Sequence, residues 1–373
     1  MLRLALRNLV QRRTRFVVAV GGMALALLLI LSLDAIFTGV EEQVTSYVDR
    51  TGAEIFVSQE GVRTMHMASS WLPADVVEKV RAVEGVASAT PILYLTNVVA
   101  IGSQSSPAYV IGVPPDAPAG GPWRMAEGPP APAAGEAIVD RGVAARSGAG
   151  VGDEVTILGR RFTIGGLSEG TATIVSSVAF VSLEDFARLR GDDRTVSFVL
   201  VTTTPGESPD TVATRMARSV AGVTVQTRAA FAEQERRVIR DMSTDVIAIM
   251  NLVGFLIGLA VMAFTVYTAT LSRRAEYGVL KALGARNGHL YRIVMAQALV
   301  SVTLGFGLAL VLTLVLALVV PRIGLDLMLR LSGGSLLKVG AVSLVIAGVS
   351  ALLPIRQIAG VDPAIVFRGG TVR

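Results

Sequence analysis

The chain offers little that could make or break a bond. It has two histidines, His66 and His289, and no cysteine in 373 residues. No Gly-Lys dipeptide occurs, so a phosphate loop of the GxxxxGKS or GxxxxGKT kind is impossible, and neither HExxH nor CxxC is present. Neither a metalloenzyme nor a triad hydrolase is expected, no catalytic or metal-binding residue is assigned, and no cofactor is expected in this chain. Met65-His66-Met67 is a sequence of soft ligands without a supporting cluster. It reads as an exposed loop, RTMHMASSW, whose Met65, Met67 and Trp71 would form an apolar tip for a partner or a lipid. The pattern that asks for an explanation is residues 272–288, SRRAEYGVLKALGARNG. It carries four basic residues and one acid, yet stands between two of the most apolar runs in the chain. Charge and glycine at such a place suit docking rather than chemistry.

The elements that position this stretch are apolar. The sequence is 52% hydrophobic, with a mean hydropathy of +0.59. Four runs, Phe16–Phe37, Val246–Leu271, Ile293–Val320 and Leu336–Leu353, each reach the roughly 18–20 residues that a helix needs to cross about 30 Å of hydrocarbon. Lys338, near the start of the fourth, would have to snorkel to an interface. The first run is longer than the apolar part of a signal peptide, and no A-x-A site follows it before Glu41-Glu42-Gln43.

Charge gives these spans a direction. Outside residues 39–245 there are 16 Lys and Arg against 4 Asp and Glu; within them there are 18 against 25. The sequence pI near 9.9 is therefore no nucleic-acid signature, and no nucleic-acid partner is expected. Arginine crowds the N-terminus, basic residues crowd 272–292, and the C-terminal tail is basic too, which by the positive-inside rule makes all three cytoplasmic. The expected organisation is an interfacial helix at 1–15, a first span at 16–38, an extracytoplasmic domain at 39–245, a second span at 246–271, a cytoplasmic helix or loop at 272–292, a third span at 293–320, an outer loop at 321–335, a fourth span at 336–353 and a cytoplasmic tail at 354–373. The membrane is expected to be the cytoplasmic (inner) one, with both termini inside the cell.

The outer domain reads as mixed α and β. Helices are expected at 39–50, 74–83, 183–189 and 208–220, and strands at 54–58, 93–101, 109–113, 137–139, 154–158, 162–167, 178–181 and 196–202. Seven prolines between Pro114 and Pro132 predict a surface loop without regular structure. Residues 228–244 have strong helical propensity and run into the second span without a breaker, so one long stalk helix is expected. With no disulfide available, about 200 residues must hold this domain by its own core.

A few polar or small residues inside the spans are candidates for packing or a cavity. Asp34 lies near the outer end of the first span and is expected at the interface, capped or solvated. Asn251 and Thr265 could bond between helices or line a cavity. Gly254-x-x-x-Gly258 permits close helix approach, with Gly22-x-x-x-Ala26 a weaker case, and pairing between copies through these faces is one possibility.

The segment SRRAEYGVLKALGARNGHLYRIVMAQALV resembles the signature of FtsX-like permeases, the MacB/LolC/FtsX class of ABC-transporter membrane subunits. The pattern is met by Arg273, Arg274, Glu276, Gly278, Val279, Leu280, Lys281, Ala282, Leu283, Gly284 and Ala285. Tyr277 departs from it, standing where isoleucine or leucine is common. LALRNLVQRRTRFVVAVGGMALAL, GEAIVDRGVAARSGAGVGDEVTILGRRFTIGGLSE and PIRQIAGVDPAIVFRGG resemble the family's N-terminus, its MacB-type core and its C-terminal end, so the likeness covers nearly the whole chain. It implies a fold of four transmembrane helices with a mixed α/β extracytoplasmic domain between the first two. It also implies a coupling helix at 272–288 that docks into a groove on a separate ATPase, two copies per complex, which bind the ATP and magnesium. Val279, Leu280 and Leu283 would enter an apolar cleft, Arg273, Arg274 and Lys281 would meet an acidic rim, and Gly278 and Gly284 would allow close approach and end the helix. The permease would pair with itself or a paralogue, among membrane lipids, and an adaptor or carrier protein outside stays open. The implied activity is extrusion or release of an apolar or lipidated substrate by mechanotransmission. The alternative is an FtsX-like regulator that transports nothing and activates an outer partner such as a cell-wall hydrolase.

Overall fold

A computed structural model describes residues 13–172, 177–320 and 329–359. Most of the interfacial helix expected at 1–15, most of the loop at 321–335 and the end of the tail expected at 354–373 lie outside the described residues. The chain divides into two compact units, one of which joins the apolar helices while the other holds the sheet between residues 40 and 242.

In the sheet unit, ten strands form one mixed sheet in the order β12-β1-β11-β3-β4-β9-β6-β8-β5, with β7 bridging β3 and β8. The strands are β1 (Ile55–Gln59), β3 (Val86–Ile101), β4 (Gln104–Val113), β5 (Met125–Glu127), β6 (Glu136–Asp140), β7 (Glu154–Ile157), β8 (Arg160–Ser168), β9 (Ser177–Ser182), β11 (Phe198–Thr203) and β12 (Val223–Thr227). Two short strands, β2 (Leu72–Pro73) and β10 (Thr195–Val196), pair separately. The centre of the sheet is covered on both faces, which is why its strands read as unbroken apolar runs rather than alternations. From β1, Phe56 points into a cluster with Phe198, Leu200 and Phe231, while Ile55 and Val57 point the other way, to Val80, Val212 and Met216. The last three lie on helices α3 (Val76–Arg81) and α6 (Pro209–Ser219). A third cluster gathers Val110, Ile164, Val181 and Phe186, the last from α5 (Leu183–Arg190).

Several elements depart from the expectation. β3 begins seven residues earlier than the apolar pattern suggested and pairs Pro91 with Val199. The hairpin it forms with β4 closes in two residues, with Gly102 at φ +58° in the first, as a type II′ turn demands. β2, β5, β10, β12 and α4 (Arg141–Arg146) are too short or too polar to show a period. The proline-rich segment is not wholly irregular: Met125–Glu127 pairs with β8, and Ala119 and Gly120 are buried. The helix expected at 39–50 is the end of α1 (Arg13–Val44) followed by a separate α2 (Ser46–Arg50).

The helical unit contains most of α1, the latter part of α7 (Arg228–Leu271), α8 (Arg274–Ala282), α9 (Asn287–Val319) and α10 (Gly333–Ala359). Helices α1, α7, α9 and α10 are long and apolar enough to cross a membrane. Their shared core holds Met23, Leu27, Met262, Val294, Val302 and Ala347, while Phe264, Leu318 and Leu337 face outward, as lipid-facing residues do. The glycines Gly254 and Gly258 serve packing within the chain. A β-carbon on Gly254 would stand 2.6 Å from Ile30 of α1, and one on Gly258 would crowd Ile346 of α10 and Ala26 of α1. Gly22 meets Val261 of α7 as closely. This stripe is filled inside one copy, so the idea of pairing copies through it is corrected. The Thr265 hydroxyl donates to its own helix at Val261 O (2.7 Å) and bridges to no other helix among the described residues. The side-chain oxygen of Asn251 is buried and accepts no hydrogen bond among the described residues. Asp34 is neither a cap nor solvated: its carboxylate is paired with Lys338 at 2.9 Å.

Candidate functional site

The 272–288 segment is built by three local devices. After Leu271 the chain turns through Ser272 and Arg273, whose amides donate back to Thr268 O and Thr270 O. Helix α8 then runs for nine residues, with Glu276 in its first turn and Lys281 in its last, both favourable to the helix dipole. It ends in a Schellman arrangement: Gly284 N–H donates to Lys281 O (3.0 Å) and Ala285 N–H to Leu280 O (2.9 Å), with Gly284 at φ +90°. Arg286 takes an extended conformation and opens α9.

This geometry gives α8 two edges. Tyr277 is 4% exposed and packs in the bundle core with Leu290 and Val294, and Gly278 beside it is buried. Burial pushes the Tyr277 hydroxyl up from its ordinary range, so it stays neutral. On the other edge Val279 and Leu280 are exposed, and Leu283 is 79% exposed. Arg274 and Glu276 are exposed, and Arg273 and Lys281 half-buried. The residues singled out in the sequence thus come together on one short helix, with an outward apolar edge. The sequence reading missed Tyr277, noted only as a departure from an aliphatic residue. It is the side chain that fixes α8 to α9, and its position two before Val279 on a nine-residue helix was the available signal. Beside α8, a cleft of about 820 Å³ opens between it and the start of α9.

The other chemical candidates are structural. Met65 is buried at 2% and Met67 exposed at 61%, so they face opposite ways and do not form the expected apolar tip together; Trp71 is held by the Arg190 guanidinium, 4.8 Å above its ring. His66 Nδ1 lies 2.8 Å from the buried carboxylate of Glu235. Among the described residues no three His, Cys, Asp or Glu side chains gather as a metal would need. One Gly-x-Ser-x-Gly pentapeptide, Gly166–Gly170, escaped the motif reading. Its Ser168 is fully buried, 2.6 Å from the Thr171 hydroxyl, which in turn donates to Asp140. Asp140 also caps α4 through Gly142 N–H and accepts the amides of Thr171 and Ala172. No histidine is among these partners, and the group ties a loop down rather than arming a nucleophile.

The sequence profile of the MacB-like periplasmic core domain matches residues 16–219, and that of the FtsX-like permease C-terminal region matches 248–363. An uncharacterized ABC transporter permease of Mycobacterium bovis is 23% identical over 371 residues, covering 99% of this chain and 100% of the relative. Another, of Mycobacterium tuberculosis, is 24% identical with the same coverage. The periplasmic region of MacB from Actinobacillus actinomycetemcomitans aligns with a TM-score of 0.39 at 9% identity, over 51% of this chain and 96% of that one. The extracellular domain of the noncanonic ABC-type transporter YknZ aligns with a TM-score of 0.37 at 12% identity, over 47% and 98%. With the first profile alone matching more than half of the sequence, the chain belongs to the MacB/FtsX family of ABC transporter permeases, multi-pass membrane subunits that work with an ATPase partner and carry a MacB-like domain between their first and second apolar helices.

Proposed function

We propose that α8 is the coupling helix on which two cytoplasmic ATPase subunits act, and that the permease turns their stroke into extrusion or release of an apolar or lipidated substrate at the outer face of the membrane. The single observation that carries this is the exposed Val279/Leu280/Leu283 edge on a helix whose opposite side is anchored by buried Tyr277. An apolar edge that the described core leaves exposed to solvent is suited to a partner's groove. Basic residues around it favour the cytoplasmic side of the inner membrane for it and for both termini, by the positive-inside rule. Helix α7 supports transmission of the stroke, because its 44 residues run unbroken from Arg228, beside the sheet, to Leu271, one turn before α8. The permease works in this reading as a pair with itself or a paralogue.

The test is co-expression with neighbouring genes. An ATPase should co-purify with the wild-type chain and be lost from Leu283→Asp, which puts a charge into the groove at unchanged membrane insertion. ATPase activity stimulated by a lipid or lipoprotein supports extrusion. A complex whose outer domain instead binds a secreted wall hydrolase, without any such stimulation, replaces extrusion by regulation.

A further inference from the structure

We infer that the cleft between α8 and the first turns of α9 receives an apolar side chain flanked by acidic residues from the same ATPase, so that the joint interlocks in both directions. This rests on the docking reading above and adds a second half to it. At about 820 Å³ the cleft falls within the range of pockets that enclose small ligands, about 300–1,000 Å³. Its walls are apolar, from Tyr277, Leu280, Ala285, Leu290 and Ile293. Among the described residues its rim carries Arg273, Arg286 and His289 against one acid, Glu276.

Charge decides between occupants. The chain's own first fifteen residues hold five arginines and no acid, so a rim with two arginines repels them. An acidic partner is attracted. Continuity favours the protein that grips α8: Val279, Leu280 and Gly284 line the cleft and also belong to the outward edge or its end cap. A groove closing over Leu283 therefore covers the mouth of the cleft as well. The α8 helix would then be held along its outward edge and at the cleft beside it, and a pull as well as a push from the ATPase would reach α9 through Tyr277.

The experiment compares variants of the full chain in the co-purified complex. Ala285→Phe fills the cleft and leaves Leu283, which is not part of its lining, untouched; Arg286→Glu reverses the rim. Each is expected to weaken ATPase association at least tenfold, and wild-type association should fall as salt is raised, because rim charges are screened. If Leu283→Asp abolishes association while both cleft variants bind as wild type, the cleft inference is overturned and the docking reading stands. If Leu283→Asp also binds normally, the docking reading itself fails. Should Ala285→Phe not reach the membrane, Arg286→Glu decides alone. Repeating the assay in nanodiscs with and without phosphatidylglycerol closes the remaining route. Variant effects that appear only with the anionic lipid would assign the cleft to a headgroup and overturn the proposal.

Discussion

The Lys338 ammonium lies 2.9 Å from a carboxylate oxygen of Asp34 and so fastens α10 to α1. A second tie stands beside it, Arg330 N–H donating to Ala35 O at 3.0 Å. The two partners are not equivalent. Asp34 is mostly covered and has no long stem, whereas half-exposed Lys338 has four methylenes with which to reach water. Lys338→Met is therefore expected to cost more than Asp34→Asn, about 1–3 kcal/mol against less than about 1, since it strands a covered charge. Thermal midpoints in detergent check the order. The swap Asp34→Lys with Lys338→Asp should recover most of the loss, and failure to recover would mean that the pair is incidental.

Glu235 is 1% exposed and is one of few charged side chains buried in the sheet unit. One oxygen accepts Met65 N–H at 2.5 Å and the other meets His66 at 2.8 Å, tying the 60–71 loop to α7. Glu235→Leu leaves the Met65 amide buried and unpaired, a loss of about 1–3 kcal/mol. Its sharper consequence is local. Arg63 is exposed at the start of the loop, so trypsin should cut after Arg63 several-fold faster in Glu235→Leu than in wild type. Equal cutting rates would show that the loop is held by something other than this carboxylate.

These two pairs mark the limit of what sequence discloses. The four apolar runs, the strands at 54–58 and 178–181 and the apolar edge at 279–283 were legible because each is written in a contiguous period or motif. The Asp34–Lys338 and His66–Glu235 pairs join residues 304 and 169 apart, and nothing in local composition couples them. Lys338 read alone is a snorkelling residue, and His66 read alone an exposed one. Tyr277 was visible in place but not in role, because its burial depends on Leu290 and Val294, which arrive only after the chain reverses at Gly284.

The helix seam between α1 and α7 supplies a third expectation. A methyl group at Gly254 would meet Ile30 Cγ1 at 2.6 Å, well inside van der Waals contact. Gly254→Ala should therefore destabilise by about 1–3 kcal/mol, the usual range for overpacking, even though alanine is the better helix former. The double variant Gly254→Ala with Ile30→Ala removes the clash and should be more stable than the two single losses summed. Thermal unfolding of the four proteins in one detergent settles it; strict additivity would place the contact elsewhere.

Gly284 is the residue at which stability and function are expected to part. At φ +90° it closes α8 with two hydrogen bonds and sets the angle at which the chain enters α9. Among the described residues no atom outside the local turn stands within 4 Å of the place where a β-carbon would sit, so a substitution meets backbone strain and not a clash. That strain is about 1–2 kcal/mol for an ordinary residue, least for asparagine and most for a β-branched one. The expected order of damage is therefore Val above Ala above Asn. Because the site lies at the end of one short exposed helix, the damage should open the turn and leave the bundle core intact. Membrane insertion and detergent stability should stay near wild type, while substrate-stimulated ATPase activity in the reconstituted complex falls in that order. If Gly284→Val couples as well as Gly284→Asn, the turn geometry does not transmit the stroke, and the path from α8 into the bundle would have to run through Tyr277 alone.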